Sequence, residues 1–115
     1  MTAFLLVGTG GVLGALARFA VGSWLSGRTR ATLAVNVLGS FALGALVAGL
    51  ADGAALLTLF GTGFCGAFTT FSSFAVETVE LYGTGARREA VANAVTNLVG
   101  ALVAVGLGGW SAALL

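Results

Sequence analysis

The sequence has no proline, no histidine and no lysine, and it has a single cysteine. One cysteine cannot close an internal disulfide, so no disulfide framework holds this chain. One cysteine without histidine cannot supply the ligands of a zinc site. Zero prolines beside 19 glycines fit neither a disordered nor a collagen-like composition. Charge is also scarce. Charged residues make up 8% of the chain, where a soluble domain carries about 25%. So little charge cannot coat a globule, and a water-soluble monomer is excluded. The net charge of +1 provides no basic field, so no nucleic-acid partner is expected. With 58% hydrophobic residues and a mean hydropathy of +1.07, what remains is a small integral membrane protein whose surroundings are the lipid bilayer.

The few charges divide the chain. Met1–Ala17 is uncharged for 17 residues; Arg18 interrupts, and the apolar pattern resumes through Leu25. Ala31–Ala51 runs 21 residues, Gly53–Val76 24 and Ala90–Leu115 26. A spanning helix needs about 20 apolar residues. The pattern predicts four spans, at roughly 3–25, 31–51, 55–82 and 89–110, forming one domain over 1–115. Short connections fall around Ser26–Arg30, Asp52–Gly53 and Gly83–Arg88. The first run has no basic n-region, so a cleaved signal peptide is not expected. A spanning barrel is excluded, because it needs many alternating segments of about ten residues and these runs are continuous. Gly10 with Gly14, Gly39 with Gly44, and Gly100 with Gly106 are candidates for close helix packing. Arg28 and Arg30 lie in the first connection, and Arg87 and Arg88 in the third. The opposite side has Asp52 and the two termini. The positive-inside rule then places connections one and three in the cytoplasm and both termini outside.

Polar groups within the spans must find partners in lipid, which makes them informative. Asn36 and Ser40 share a face of the second span, and Asn93, Thr96 and Asn97 recur at helical spacing in the fourth. Interhelical hydrogen bonding explains such groups; so does a polar track. The third span is densest, reading Gly61-Thr-Gly-Phe-Cys-Gly66-Ala-Phe-Thr69-Thr70-Phe71-Ser72-Ser73-Phe74. Gly61, Gly63 and Gly66 weaken a helix there. A helix broken near its middle is tolerated only where it is buried in protein or lines a cavity, and its freed carbonyls suit a hard cation such as Na⁺. Phe68, Phe71 and Phe74, three apart, are expected to stack down one side of the helix. They form either a packing ridge or a row of electropositive ring edges that solvates an anion, with hydroxyls and Asn amides donating to it. Arg18, the one base within a span, either snorkels to the interface or draws anions into a vestibule, with Glu77 and Glu80 as candidate partners. The run Gly8-Thr-Gly10-Gly11-Val-Leu-Gly14 is not a dinucleotide fingerprint. The third glycine position falls on Leu13, and no acid precedes Asp52.

Three segments together resemble the CrcB/Fluc fluoride channel family: Gly10-Gly11-Val-Leu-Gly14-Ala-Leu-Ala-Arg18-Phe19, Thr32-Leu-Ala-Val-Asn36-Val-Leu-Gly39-Ser40-Phe41 and Gly63-Phe-Cys-Gly66-Ala-Phe-Thr69-Thr70-Phe71-Ser72-Ser73-Phe74. The likeness covers nearly the whole chain. It implies an all-α membrane protein whose four-helix subunits form an antiparallel, dual-topology dimer with two fluoride pores. The partner would be a second copy or an oppositely oriented paralogue. By the same resemblance, Phe71 and Phe74 line the pore, Asn36 donates to the ion, and Arg18 sits in the vestibule. Thr70 and Ser72 lie near the pathway. Gly66 and Thr69 hold a structural Na⁺ at the two-fold axis through backbone carbonyls. Ala67 stands where the family often has a second glycine. Thr96 or Asn97 occupies the place of a span-four serine.

The function this implies is passive export of cytoplasmic fluoride across the cell membrane. Fluoride holds water tightly, so a pore must replace that water with fixed donors and positive ring edges. No carboxylate is expected among the pathway residues. The alternative is a small multidrug-resistance-like proton-coupled exporter, which needs a titratable carboxylate deep in span one; that span has no acid. An assembly protein of the holin type leaves the two polar segments without a purpose. An enzyme is not expected, given no histidine, one cysteine and no acid pair outside the end of span three.

Overall fold

Long runs of Ala, Leu, Val and Gly leave backbone N–H and C=O groups with only one another as partners in lipid, and a helix satisfies them within the segment. The structure, a computed structural model describing residues 1–115, is accordingly helical throughout. Helix α1 is Thr2–Trp24 and α2 is Arg28–Gly49. The third span opens with a π-helical segment, Leu57–Cys65, which runs into the short α3, Gly66–Phe68, and resumes after an interruption as α4, Phe71–Gly83. Helix α5 is Arg87–Ala113. Four stretches are long and apolar enough to cross a membrane, the expected number. Each connection contains one residue in the left-handed region, and each is a glycine: Gly27, Gly53 and Gly85.

Membrane helices gain little from hydrophobicity when they associate, so close backbone approach must hold them. Two seams do this. Along the α2–α5 seam, a Cβ on Gly44 would lie 2.2 Å from the Val105 carbonyl oxygen, and one on Gly108 would lie 2.0 Å from that of Phe41. Along the seam between α1 and the π segment, a Cβ on Gly10 would lie 2.0 Å from the Leu59 oxygen, and one on Gly14 would lie 2.2 Å from the Phe64 oxygen. Gly10, Gly14, Gly39 and Gly44 are thus packing glycines, as their spacing suggests. Gly106 is not: no neighbouring atom lies within 4 Å of its Cβ position, and Gly108 takes the contact two residues later. Apart from glycines, five buried apolar residues are matched by five buried polar ones: Thr32, Thr70, Glu77, Asn93 and Asn97. The interior is therefore a polar seam between helices rather than an oily core.

The third span is broken, though not at its glycines. Those stay helical with widened turns, a form common at functional sites. The break falls at Thr69 and Thr70, whose backbones are extended (ψ 159° and 119°). This divides the expected phenylalanine ridge. Phe68 is buried and stacks on Phe64 with ring centroids 5.5 Å apart. Phe71 and Phe74, beyond the break, form a separate tilted pair at 5.5 Å and 60°.

Gly44→Ala should force α2 and α5 apart, costing about 1–3 kcal/mol as overpacking does. Gly106→Ala should leave the melting temperature in detergent unchanged. Equal melting of the two variants would remove the α2–α5 glycine seam as a determinant of the fold.

Candidate functional site

The interruption leaves the Thr70 peptide without helical partners, and Asn36 of α2 replaces both of them. The Thr70 N–H donates to Asn36 Oδ1 at 2.8 Å, and Asn36 Nδ2 donates to the Thr70 carbonyl at 3.1 Å. A side-chain amide thus pairs with a main-chain peptide as a neighbouring strand would. The remaining Asn36 amide hydrogen goes to Asn97 Oδ1 at 3.0 Å. Asn97 Nδ2 donates to the Asn93 carbonyl at 2.9 Å and to Asn93 Oδ1 at 3.2 Å. Asn93 Nδ2 donates to Thr78 Oγ1 at 2.9 Å, and that hydroxyl donates to the Phe74 carbonyl at 2.8 Å. The four-residue spacing of Asn93 and Asn97 puts both on the face turned to the break. Thr96 faces away and bonds locally to the Ala92 carbonyl; the span-four residue that meets Asn36 is Asn97.

The helix beyond the break needs a cap, and Thr70 supplies it by accepting from the Ser73 N–H at 3.2 Å. Its hydroxyl also lies 3.3 Å from Ser72 Oγ and donates to Ser73 Oγ at 3.2 Å. On the other side, Thr69 Oγ1 donates back to the Cys65 carbonyl at 3.0 Å, and the Thr69 carbonyl accepts from Arg18 Nη1 at 3.3 Å. Because the Thr70 N–H turns to Asn36, the Gly66 carbonyl loses the donor that a continuous helix would give it.

Two cavities flank the interruption. The smaller, 410 Å³, is lined by Arg18, Thr32, Thr70, Ser72 and Glu77 among others. The larger, 810 Å³, is lined by Asn36, Ser40, Gly66, Phe71, Phe74 and Asn97 among others, and Thr69 borders it too. Thr70 is the one residue common to both walls. Phe71 is 78% exposed in the single chain, while Phe74 is half-buried. Phe68 borders neither cavity.

Two expectations need correction. Arg18 does not pair with Glu77 or Glu80; both acids pair with Arg28, whose Nε lies 3.6 Å from Glu77 Oε1 and whose Nη2 contacts Glu80 Oε2. The chain comes together this way because Arg28 heads α2 beside the end of α4, while Arg18 is drawn to the exposed Thr69 carbonyl. The cavity walls are also not free of carboxylate, since Glu77 borders the smaller one and accepts from Thr32 Oγ1 at 2.6 Å. Thr32 and Arg28 border the smaller cavity although neither is among the expected site residues. A signal existed, because Arg28, Thr32, Asn36 and Ser40 follow one another every fourth residue on one face of α2.

Asn36→Ala should strand the N–H and C=O of Thr70. At about 1–3 kcal/mol for each unsatisfied buried group, it should cost several times what Thr96→Ala does. Thermal unfolding in detergent measures both; comparable losses would mean that Asn36 does not hold the break.

A family model described as "CrcB-like protein, Camphor Resistance (CrcB)" matches residues 5–109. No curated protein matches the chain. The matched stretch begins in the first turns of α1 and ends in the last turns of α5, enclosing the interruption, both cavities and the asparagine chain. With four spanning helices in that stretch, the chain is a multi-pass membrane protein and belongs to the CrcB-like, camphor-resistance family.

Proposed function

We propose that the chain is a fluoride-selective ion channel that lets cytoplasmic fluoride leave passively through the cell membrane, lowering its intracellular concentration. The observation that carries this reading is the interrupted third span. It places an aromatic pair, three hydroxyls and an amide network where two cavities meet at Thr70. Fluoride gives up its water only to fixed donors and positive edges. Phe71 and Phe74 offer ring edges on the larger cavity. Thr70 and Ser72 offer hydroxyls, and Arg18 supplies positive charge at the smaller one. Asn36 has both amide hydrogens committed within the chain, so it reaches the ion by releasing Asn97. Enzymatic chemistry has no place in this reading.

The single chain leaves Gly66 and Phe71 exposed on the wall of the larger cavity. A second subunit in the opposite orientation, either another copy or a paralogue, would close that wall and make the antiparallel dimer. Clustering of Arg28 with Glu80 puts connection one and the end of α4 on one side, which the arginine bias assigns to the cytoplasm. A structural Na⁺ fits the Gly66 carbonyl, while the Thr69 carbonyl, which already accepts from Arg18, would have to offer its second lone pair. The Gly66 carbonyl has lost its helical donor, and oxygen ligands suit a hard cation. If bound there, such an ion would be held by the backbone carbonyls of Gly66 and Thr69 and would supply a fixed positive charge to them. The ligands would be backbone, so Thr69→Ser should leave both assembly and flux near normal.

A proton-coupled exporter of the small multidrug-resistance type is the alternative. Glu77, the one buried carboxylate, is its only candidate coupling group, since α1 contains no acid.

Fluoride efflux from liposomes containing only this chain tests the reading. Efflux should proceed without a proton gradient and should exclude chloride; no efflux without that gradient would favour the exporter. Phe71→Ile and Phe74→Ile keep volume but remove the ring edges, so each should slow efflux about tenfold or more while the protein still elutes as the folded species. Asn36→Asp should abolish it. Phe68→Ile should slow it less, and near-normal efflux from both pair variants would return these rings to a packing role.

A further inference from the structure

The smaller cavity holds a group that a route for anions should not contain. Glu77 is 2% exposed, its Oε1 accepts from Thr32, and its Oε2 is buried with no hydrogen-bond partner. A buried carboxylate without a counter-charge is strongly unfavourable, and an anion entering the same cavity meets its repulsion. Arg28 is the only base paired with it, and it bridges to Glu80 as well. Helix stability does not explain this arrangement. Arg28 is the first residue of α2 and Glu80 lies in the last turn of α4, each the disfavoured sign for its helix end. The Arg28 side chain is 62% exposed, yet it reaches inward between two acids.

We propose that Arg28 is the charge-screening residue of this cavity: it neutralises Glu77 and holds that carboxylate against Thr32, leaving Arg18 as the charge an entering anion meets. It is a positioning residue, acting on the ion through Glu77. The inference rests on the channel reading above. Among the four charges, Arg18, Arg28, Glu77 and Glu80 sum to zero. Without Arg28, Glu77 in the wall and Glu80 beside it outnumber Arg18, the one guanidinium left in the wall, and the local charge turns negative. Interhelical bridging alone would tolerate any side chain that preserves the fold, whereas screening requires a cation and weakens as salt takes over its work.

The test is fluoride efflux from liposomes at two ionic strengths, about 0.01 M and about 0.15 M, between which the screening length falls from about 30 Å to about 8 Å. Arg28→Gln should slow efflux about tenfold at the lower strength, the lower end of what surface fields do to ion entry, and clearly less at the higher. Arg28→Lys should restore most of the rate. Glu80→Gln, which leaves Arg28 wholly to Glu77, should speed efflux at the lower strength, and it keeps the test decisive if Arg28→Gln does not fold by size-exclusion elution. Wild-type rates from Arg28→Gln at low ionic strength, a salt-independent loss shared by Arg28→Lys, or unchanged or slower efflux from Glu80→Gln would each overturn the proposal while the channel reading stands. A wild-type chain with no fluoride efflux would overturn both.

Discussion

The structure depends on two hydrogen bonds between the Asn36 amide and the Thr70 peptide. Within lipid, a peptide group without partners costs several kcal/mol, so a spanning helix is interrupted only where something replaces the missing bonds. Asn36 does this only if it is itself held in orientation. Asn97 takes its spare hydrogen, Asn93 engages Asn97, and Asn93 is tied to Thr78 on the helix that begins at the break. The chain of bonds leaves the third span at Thr70, crosses α2 and α5, and returns to the third span at Thr78, about two turns later. No member can rotate without unpairing another, which is why a polar seam can be as specific as a packed core.

The direction of the two aromatic groups follows from that constraint. Extended backbone at Thr69 and Thr70 resets the helical phase, so residues three apart in sequence no longer share a face. Phe68 turns inward onto Phe64, while Phe71 and Phe74 point into the larger cavity as a tilted pair. The glycines ahead of the break have a different task. Gly63 and the widened turns around it let α1 approach until Val7, Gly10 and Gly11 touch backbone. They dock the first half of the span so that the second half can diverge from it.

The four spans and their ends were legible in the sequence because charges are so rare that long uncharged runs stand out; Arg18 and Glu77 are the charges that lie within a span rather than at its edge. Asn36 and the Asn93–Asn97 pair were legible because deep polar groups stand out. A break near the middle of the third span was expected, but the glycines point a few residues short of where it falls, at Thr69 and Thr70. Glycine lowers local helix propensity, but the break lies where a partner amide is available, and Asn36 is 34 residues away from Thr70. Propensity is local; the group that makes a break affordable is not. The same reason hid the true partner of Glu77. Arg18 and Arg28 carry equal charge, and only the docking of α2 against α4 decides which one reaches the acid. The substitution of Gly108 for Gly106 at the α2–α5 contact is a difference of helical phase, which a helix rich in small residues on every side does not display.

The two arginines at this end of the molecule illustrate how the partner of a charge determines its effect. Arg18 donates to a carbonyl, that of Thr69. A carbonyl satisfies a guanidinium hydrogen without cancelling its charge, so Arg18 keeps its field while its position is fixed at the edge of the break. Arg28 is bonded to carboxylates, and its field is largely spent on them. One cation thus stays electrostatically visible and the other does not, though both are exposed and both are bonded. In a chain with five bases and four acids, this sorting decides the sign of the smaller cavity. It does so through the acceptor each arginine finds, a property of the folded interior that composition and net charge leave undetermined.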